Sequence, residues 1–335
     1  MENKFLAFIV FSFILFSVLL VPTHSVTNHR CHPDDYKVLV EINKTIFPPD
    51  HIPGWVPNTD CCNWYAIDCH YKTNRVNELH FYSNDYSGQI PPAIGDLAYL
   101  EYLTFRKLTN ITGPIPRSLT KLKRLRYLRI SWLNMTGPVP EFLSELHNLE
   151  FLELNFNQFS GSIPASFSKF TKLLAVHLDR NRLTGSIPES FGHFTGNVPD
   201  LYLSHNQLTG TIPKSLGNMN FDRLDLSRNK LVGDASMLFR PNGTTSSIDL
   251  SRNLLEFDFS KVRFPKTLNS LDLNHNRIYG SIPKELSDLQ YFGGFNVSYN
   301  RLCGEIPTGG NFQSFEASNY IHNKCLCGPP LLKCT

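Results

Sequence analysis

Acidic side chains recur beside the leucines of a repeated pattern in this chain, and three of them, Glu153, Asp179 and Asp225, lie near its middle. Two carboxylates perform glycosidase chemistry when one serves as the acid and the other as the base or nucleophile at a set separation. Carboxylates on an open surface instead attract a partner of opposite charge, or they are solvated and bind nothing. The elements that carry these residues decide between those outcomes.

Other catalytic signatures are missing from the sequence. It contains no G-x-S-x-G elbow, H-E-x-x-H motif, Walker loop or EF-hand spacing. The 335 residues carry a formal net charge of only +3, which argues against a nucleic-acid partner. We therefore expect a binding protein that is not an enzyme and that has no cofactor and no bound metal.

One pattern, L-x-L-x-x-N-x-L-x-G-x-I-P, fills the chain between two groups of cysteines. A clean copy is Leu152-Glu-Leu154-Asn-Phe-Asn157-Gln-Phe159-Ser-Gly161-Ser-Ile163-Pro164. Its glycine position recurs at 88, 113, 137, 161, 185, 210, 233, 257, 280 and 304, with Phe257 replacing glycine once. Ten repeats of 23–25 residues predict an α/β solenoid, a right-handed superhelix with a concave parallel β-sheet and disulfide-capped ends.

The pattern also predicts which side chains are displayed. The two leucines of L-x-L point inward from a short strand, and the residue between them points to solvent. The asparagine can bond backbone groups of neighbouring turns that would otherwise be buried and unpaired. We call the outward-facing strand residues the concave ribbon and expect it to be the binding surface.

The concave ribbon has a chemically mixed composition. Strands lie about 4.8 Å apart, so Glu153, Asp179 and Asp225 should share one acidic patch. The aromatic residues Tyr82, Tyr127, Trp132, Phe151, Phe156 and Tyr202 flank it, although Phe151 and Phe156 could instead pack at the strand margin. The predicted partner-binding residues are Tyr82, Thr104, Arg129, Glu153, His177, Asp179, Tyr202, Asp225 and Asp249.

A second column lies directly before the asparagine position of each repeat, and we call it the margin column. Cations at repeat spacing in this column can bind successive carboxylates of a polyanion, or they can form an ordinary charged rim. The predicted polyanion-binding residues are Arg180, His205, Arg228 and Arg252, with His275 in the same column.

The two ends of the chain indicate secretion. Lys4 precedes an apolar run from Phe5 to Val21, and Thr23 and Ser25 fit cleavage after Ser25, although the run is also near the length of a membrane anchor. We expect a signal peptide at 1–25, a cysteine-rich cap at 26–75, ten repeats at 76–307, a second cap at 308–335 and no membrane span. Five N-glycosylation sequons agree with this route: Asn43, Asn110, Asn134, Asn242 and Asn296.

Eight cysteines fall into two terminal groups, one from Cys31 to Cys69 and the other from Cys303 to Cys334. An even number in a secreted chain favours disulfides. Zinc coordination is the alternative, but neither group contains two well-spaced pairs. The connectivity stays open at this point.

Specific motifs at both ends resemble a known family. The segment Trp55 to Cys69, with Asp60-Cys61-Cys62-Asn63-Trp64, and the G-x-I-P repeats resemble plant extracellular leucine-rich-repeat proteins. The ending, Asn300-Arg-Leu-Cys303-Gly-Glu-Ile-Pro307 followed by Cys325-Leu-Cys327, resembles the polygalacturonase-inhibiting proteins. Together with local loop closure, this resemblance implies the disulfides Cys31–Cys61, Cys62–Cys69, Cys303–Cys325 and Cys327–Cys334.

The resemblance carries functional expectations. It implies a monomeric protein of the apoplast and plant cell wall that inhibits fungal, and sometimes insect, endopolygalacturonases. The family uses acidic residues at the positions of Glu153, Asp179 and Asp225, where Glu153 replaces the usual aspartate. The family is also thought to bind pectin, a homogalacturonan, through the margin column.

Two other functions stay open from the sequence. The carrot antifreeze protein shares stretches such as Phe105-Arg-Lys-Leu and Leu203-Ser-His-Asn-Gln-Leu-Thr-Gly210, which makes ice binding the first alternative. Ice recognition relies on a regular surface, whereas this concave ribbon is mixed. A soluble receptor-like module that binds a peptide or a co-receptor is the second alternative.

Overall fold

A computed structural model describes residues 31–45, 52, 54–82 and 85–334. The predicted signal peptide at 1–25 lies outside these residues. Within the described ranges, every helix is too short or too polar to cross a membrane.

The described residues form one α-helix, α1 (Pro33–Thr45), followed by a long series of short strands. The strands are β1 (Ile67–Cys69), β2 (Val76–Tyr82), β3 (Ser87–Gly88), β4 (Tyr102–Gly113), β5 (Tyr127–Pro138), β6 (Phe151–Glu153), β7 (Gln158–Gly161), β8 (Ala175–His177), β9 (Arg182–Leu183), β10 (Asp200–Tyr202), β11 (Thr209–Thr211), β12 (Arg223–Asp225), β13 (Lys230–Gly233), β14 (Ser247–Asp249), β15 (Leu254–Leu255), β16 (Ser270–Asp272), β17 (Tyr279–Gly280), β18 (Gly294–Asn296), β19 (Arg301–Glu305) and β20 (Cys325–Cys327).

The principal sheet contains one strand from each repeat. Its order is β1-β2-β4-β5-β6-β8-β10-β12-β14-β16-β18, and β1 is antiparallel to β2 whereas the ten strands from β2 onward are parallel. The strands that follow each bend form shorter sheets, of which β11-β13-β15 and β17-β19-β20 are examples. The predicted solenoid of ten repeats with a parallel sheet is therefore confirmed.

The return side of most repeats contains a short 3₁₀ helix that begins after an Ile-Pro or Val-Pro step, as at Ala165–Lys169. In the two repeats that lack this step, the 3₁₀ helix begins after Ala235 or Asp258. These turns pack so closely that a Cβ atom on Gly95 would lie 2.2 Å from the backbone oxygen of Ser118 in the next repeat. Where Phe257 replaces glycine, the ring is buried in the core near Phe239 and Phe259. The irregular repeat thus exchanges a bend residue for a core residue.

The leucines of L-x-L form a continuous core, since Leu152 and Leu154 are fully buried. The repeat asparagine closes the backbone above that core. Asn229 accepts a hydrogen bond from the Leu208 amide at 3.0 Å and donates from Nδ2 to the carbonyls of Leu203, Leu226 and Ser227 at 3.0–3.1 Å.

Both ends of the solenoid are capped covalently. Disulfides join Cys31 to Cys61, Cys62 to Cys69, Cys303 to Cys325 and Cys327 to Cys334, which are the pairs that the family resemblance implies. Helix α1 buries Leu39 and Ile42 against the first repeat. Buried Asp35 fixes this helix to β2 through two hydrogen bonds from Arg75 and one from the Val76 amide.

Asn229→Ala tests the role of the asparagine bonds. The change leaves several buried backbone groups unpaired, so we expect the free energy of unfolding to fall by about 2–4 kcal/mol. Equilibrium unfolding in urea measures this. Asn218→Ala, on the exposed return side, should change stability by less than about 0.5 kcal/mol, and equal effects of the two substitutions would contradict the assignment.

Candidate functional site

The concave ribbon is a set of side chains held side by side by the strand register. Glu153 on β6 pairs with Arg129 on β5 and with His177 on β8, and Tyr202 on β10 pairs with Asp225 on β12. Parallel pairing places these residues on one face of the sheet. The predicted contact residues are therefore brought together, and most of them are half-buried.

Thr104 is an exception to the predicted contact surface. Its position on β4 is in the concave ribbon, but only 1% of its surface is exposed. The register places this short side chain between the longer His80 and Arg129. Thr104 is therefore almost inaccessible from the concave side, and its contact with a partner stays a prediction.

Glu153 does not present a free charge. Its carboxylate accepts two hydrogen bonds from the Arg129 guanidinium, at 2.6 and 2.8 Å, and a third from the Tyr127 hydroxyl. Its side chain is only 13% exposed. Burial, together with the bond to Glu153, raises the pKa of Tyr127 well above its usual value, so this hydroxyl stays protonated. Glu153 therefore adds no net negative charge to the expected acidic patch, because Arg129 neutralises it. Asp179 and Asp225 are the remaining members of that patch.

Asp179 has fewer partners than Glu153, although its side chain is only 14% exposed. Nδ1 of His177 lies 3.7 Å from Oδ1 of Asp179, and the His177 ring stacks on Tyr202 with centroids 4.1 Å apart. Oδ1 of Asp179 is buried and accepts no hydrogen bond from the described part of the chain. The same holds for Oδ1 of Asn155 in the preceding repeat. A partner that supplies donors here would relieve this unfavourable desolvation.

Three aspartates lie in register on neighbouring strands, and we call Asp225, Asp249 and Asp272 the aspartate row. Each carboxylate uses Oδ1 to accept a hydrogen bond from the backbone amide two residues later, at 2.9–3.0 Å. Asn296, the next residue along the row, makes the same bond to Ser298 with its amide oxygen. The local structure therefore needs the oxygen but not the negative charge.

The negative charges in the aspartate row repel one another. Burial raises the pKa of Asp249 to about 6, and the neighbouring Asp272 and Asp225 contribute to the same shift. Burial also raises the pKa of Asp272. The acidic part of the concave ribbon therefore runs from Asp179 through the aspartate row, further toward the C-terminus than the sequence indicated.

The margin column has a left-handed backbone in every repeat from the second onward. Arg180, His205, Arg228 and Arg252 have φ between 53° and 55°. The column continues on both sides in the same conformation, through Lys107, Trp132 and Phe156 before these residues and through His275, Tyr299 and His322 after them. This conformation turns the side chains out of the sheet, where they form one continuous edge.

The margin column is less cationic in its middle than its sequence indicated. Burial, with the nearby Arg180 and Arg228, lowers the pKa of His205, and burial with Arg252 lowers that of His275. Both imidazoles are therefore mostly neutral at pH 7. Arg180, Arg228 and Arg252 are the fixed positive charges of this segment.

An aromatic stack forms the N-terminal part of the margin column. Trp132 and Phe156 are stacked with ring centroids 3.6 Å apart, and the Arg180 guanidinium lies 4.8 Å from the Phe156 centroid. Trp132 is 42% exposed. Neither Phe156 nor Phe151 is fully buried, and Phe151 packs beside Tyr127 at 5.7 Å.

The predicted glycosylation positions differ in their accessibility. Asn110 and Asn242 are exposed, whereas Asn43, Asn134 and Asn296 are half-buried. Asn296 lies on β18 within the concave ribbon. All five remain predictions.

Comparisons with known proteins agree on one family. Residues 32–70 match the leucine rich repeat N-terminal domain, 68–231 the LRR domain of EGF-like domain-containing protein ComC, and 267–289 a leucine rich repeat. The chain is 64% identical to polygalacturonase inhibitor 1 of Arabidopsis thaliana over 316 residues, covering 93% of this chain and 95% of the relative. It is 60% identical over 334 residues to the polygalacturonase inhibitor of Pyrus communis, covering 100% of both.

Among solved structures, the chain is similar to a plant ice-binding protein. The TM-score is 0.88 at 47% sequence identity, and the match covers 91% of this chain and 99% of that protein. The shared architecture thus occurs in proteins of different function.

Asp249→Asn tests the charge repulsion in the aspartate row. Because the folded-state pKa of Asp249 is raised to about 6, native Asp249 resists ionisation and its stability contribution is lost as pH rises from about 4 to about 6. We expect the Asn variant to be more stable than the parent at pH 7, and the advantage to disappear near pH 4. Urea unfolding at both pH values measures this, and a variant less stable at pH 7 would contradict it.

Proposed function

The chain belongs to the leucine-rich-repeat family of polygalacturonase inhibitors, and we propose that it is a secreted cell-wall protein that binds fungal endopolygalacturonases through its concave ribbon. It is a binding protein and not an enzyme. Four disulfides and five sequons support an extracellular location in the apoplast, because disulfides persist in oxidising compartments.

The run of carboxylates from Asp179 through the aspartate row carries this proposal. A polygalacturonase acts on a polyanion, so its substrate cleft must present lysine or arginine side chains. A row of carboxylates on a rigid sheet is complementary to such a cleft and orients the encounter. The local hydrogen bonds of the row need no charge, as Asn296 illustrates, so its charges are available for a partner.

Neighbouring side chains add contact area to the carboxylates. His177 and Tyr202 form a flat stack beside Asp179, and Trp132 and Phe156 form a second stack on the margin column. Aromatic and arginine side chains are the commonest energetic anchors of protein interfaces. Tyr82 is exposed at the N-terminal end of the same face. The Arg129–Glu153 pair lies between Tyr82 and the His177–Tyr202 stack.

Ice binding is the less favoured function despite the structural likeness to an ice-binding protein. The concave ribbon runs from His80 through Arg129, Glu153, His177 and Tyr202 to the aspartate row. Such a sequence of charged and aromatic groups lacks the regular repeat that matching an ice surface requires. We therefore place enzyme inhibition first.

Asp179→Lys tests the docking surface. The reversal places a cation where the proposal puts the enzyme's basic cleft, so we expect the inhibition constant for an inhibited fungal endopolygalacturonase to rise at least about tenfold, or 1.4 kcal/mol. Reducing-sugar release from polygalacturonic acid, together with pull-down of the enzyme, measures this.

Glu189→Lys is the matched control, because Glu189 is an exposed carboxylate on the return side of the solenoid. It should inhibit as the parent does. Equal inhibition by parent and Asp179→Lys would refute the concave docking site. A parent that neither binds nor inhibits any enzyme of a broad fungal panel would instead favour the receptor-like alternative.

The margin column supports a second part of the proposal, retention by wall pectin. Arg180, Arg228 and Arg252 present fixed cations along one edge, and their spacing follows the repeats. The carboxylates of homogalacturonan are negatively charged, opposite to these arginines, and they too recur at a regular spacing. Such contacts are exposed and therefore sensitive to salt.

Arg228→Glu combined with Arg252→Glu tests pectin retention. We expect the double variant to elute from immobilised polygalacturonic acid at a clearly lower NaCl concentration than the parent, because two attractive charges become repulsive. Lys214→Glu combined with Lys284→Glu, on the return side, controls for net charge. If both double variants eluted at equally lowered NaCl concentrations, the effect would come from net charge alone. That result would refute a pectin-binding site in the margin column.

A further inference from the structure

One histidine and two carboxylates converge on the antiparallel pair β1–β2 at the N-terminal end of the sheet. Asp68 lies directly opposite Glu78, and His80 is two residues further along β2 on the same face. Nε2 of His80 is 3.0 Å from Oε2 of Glu78, and the ligand atoms of all three residues lie within 4.8 Å of one another.

The two carboxylates of this cluster face one another across the strand pair, and Glu78 is paired with His80. Like charges directly opposite on antiparallel strands destabilise the pair. His80 carries a positive charge only when protonated. Among the residues that the structure describes, no lysine or arginine forms an ion pair with Asp68 or Glu78. A divalent cation would neutralise both carboxylates, which the histidine alone does not.

The three side chains are carried by a rigid support. Cys69, next to Asp68, is bonded to Cys62, and the His80 amide donates to the Ala66 carbonyl at 2.9 Å. The Tyr82 ring packs parallel to the His80 imidazole, and its hydroxyl is 3.5 Å from Nδ1. Tyr82 therefore occupies the side of the ring away from Glu78 and leaves Nε2 directed at the carboxylates, as partners of metal-binding histidines do.

We propose that Asp68, Glu78 and His80 form a binding site for a divalent transition-metal ion of the Zn²⁺ class, with a remaining position open to water. Imidazole nitrogen and carboxylate oxygen are ligands of zinc, whereas calcium and magnesium take oxygen ligands only. Tetrahedral zinc needs ligand atoms roughly 3.4 Å apart, given bonds of about 2.0–2.2 Å. Rotation of the Asp68 and Glu78 side chains can supply the closure of up to about 1.4 Å that this requires.

Binding at this site would link β1 to β2 and so stabilise the N-terminal cap. The cluster is half-exposed, which gives the ion a direct path from solvent. The site does not depend on the proposed inhibition, because its ligands are not the carboxylates assigned to docking.

Calorimetric titration of the tag-free mature protein with ZnCl₂ tests the site, with thermal unfolding measured in parallel. We expect one Zn²⁺ to bind per chain and the unfolding temperature to rise with Zn²⁺ concentration, since the ion binds the folded state. The same concentration of CaCl₂ should produce no shift. His80→Gln and Asp68→Asn should each weaken Zn²⁺ binding by about tenfold or more.

His70→Gln is the matched control, since His70 lies on the turn after β1 and outside the cluster. It should bind Zn²⁺ as the parent does. Circular dichroism verifies that each variant is folded, and Asp68→Asn, at an exposed position, keeps the test available if His80→Gln does not fold. Absence of binding by the parent, unchanged binding by His80→Gln, or equal binding of Ca²⁺ would overturn the proposal.

Discussion

Hydrogen bonding between consecutive turns is the constraint on which this structure depends. The strands of the principal sheet are short, so much of each turn's backbone lies beyond the ladder and would be buried without partners. One asparagine in each repeat from the fourth onward resolves this, as Asn181 does by accepting from the Phe159 amide and donating to the Leu154 and Leu178 carbonyls. Because these bonds join neighbouring repeats, they also fix the register that aligns the concave ribbon.

The fold could be predicted from the sequence because each repeat contains the residues that determine its own strand and turn. The leucine spacing, the asparagine and the Gly-x-Ile-Pro bend recur often enough to specify the strand, its inward face and the turn. The cysteine connectivity needed the family resemblance, because sequence separation alone allows several pairings.

The candidate site was less predictable because its properties arise between repeats. Whether Glu153 is a free charge depends on Arg129 and Tyr127, which are distant in sequence and adjacent only through the register. Thr104 is likewise placed between the longer His80 and Arg129 by the register. The Asp68–Glu78–His80 cluster has no metal-binding spacing, because one ligand comes from β1 and two come from β2. A pattern within one repeat records none of these cross-strand relations.

Backbone strain distinguishes side chains that the fold requires from those that it merely tolerates. Every residue of the margin column from Lys107 to His322 has φ between 53° and 61°, a conformation that glycine or asparagine adopts most easily. Other residues there cost roughly 1–2 kcal/mol each. The column nevertheless contains Trp132, Phe156 and three arginines. The stacking of Trp132 on Phe156 and the contact of Arg180 with the Phe156 ring offset part of that cost within the chain itself, so the fold retains these side chains without needing them for the turn.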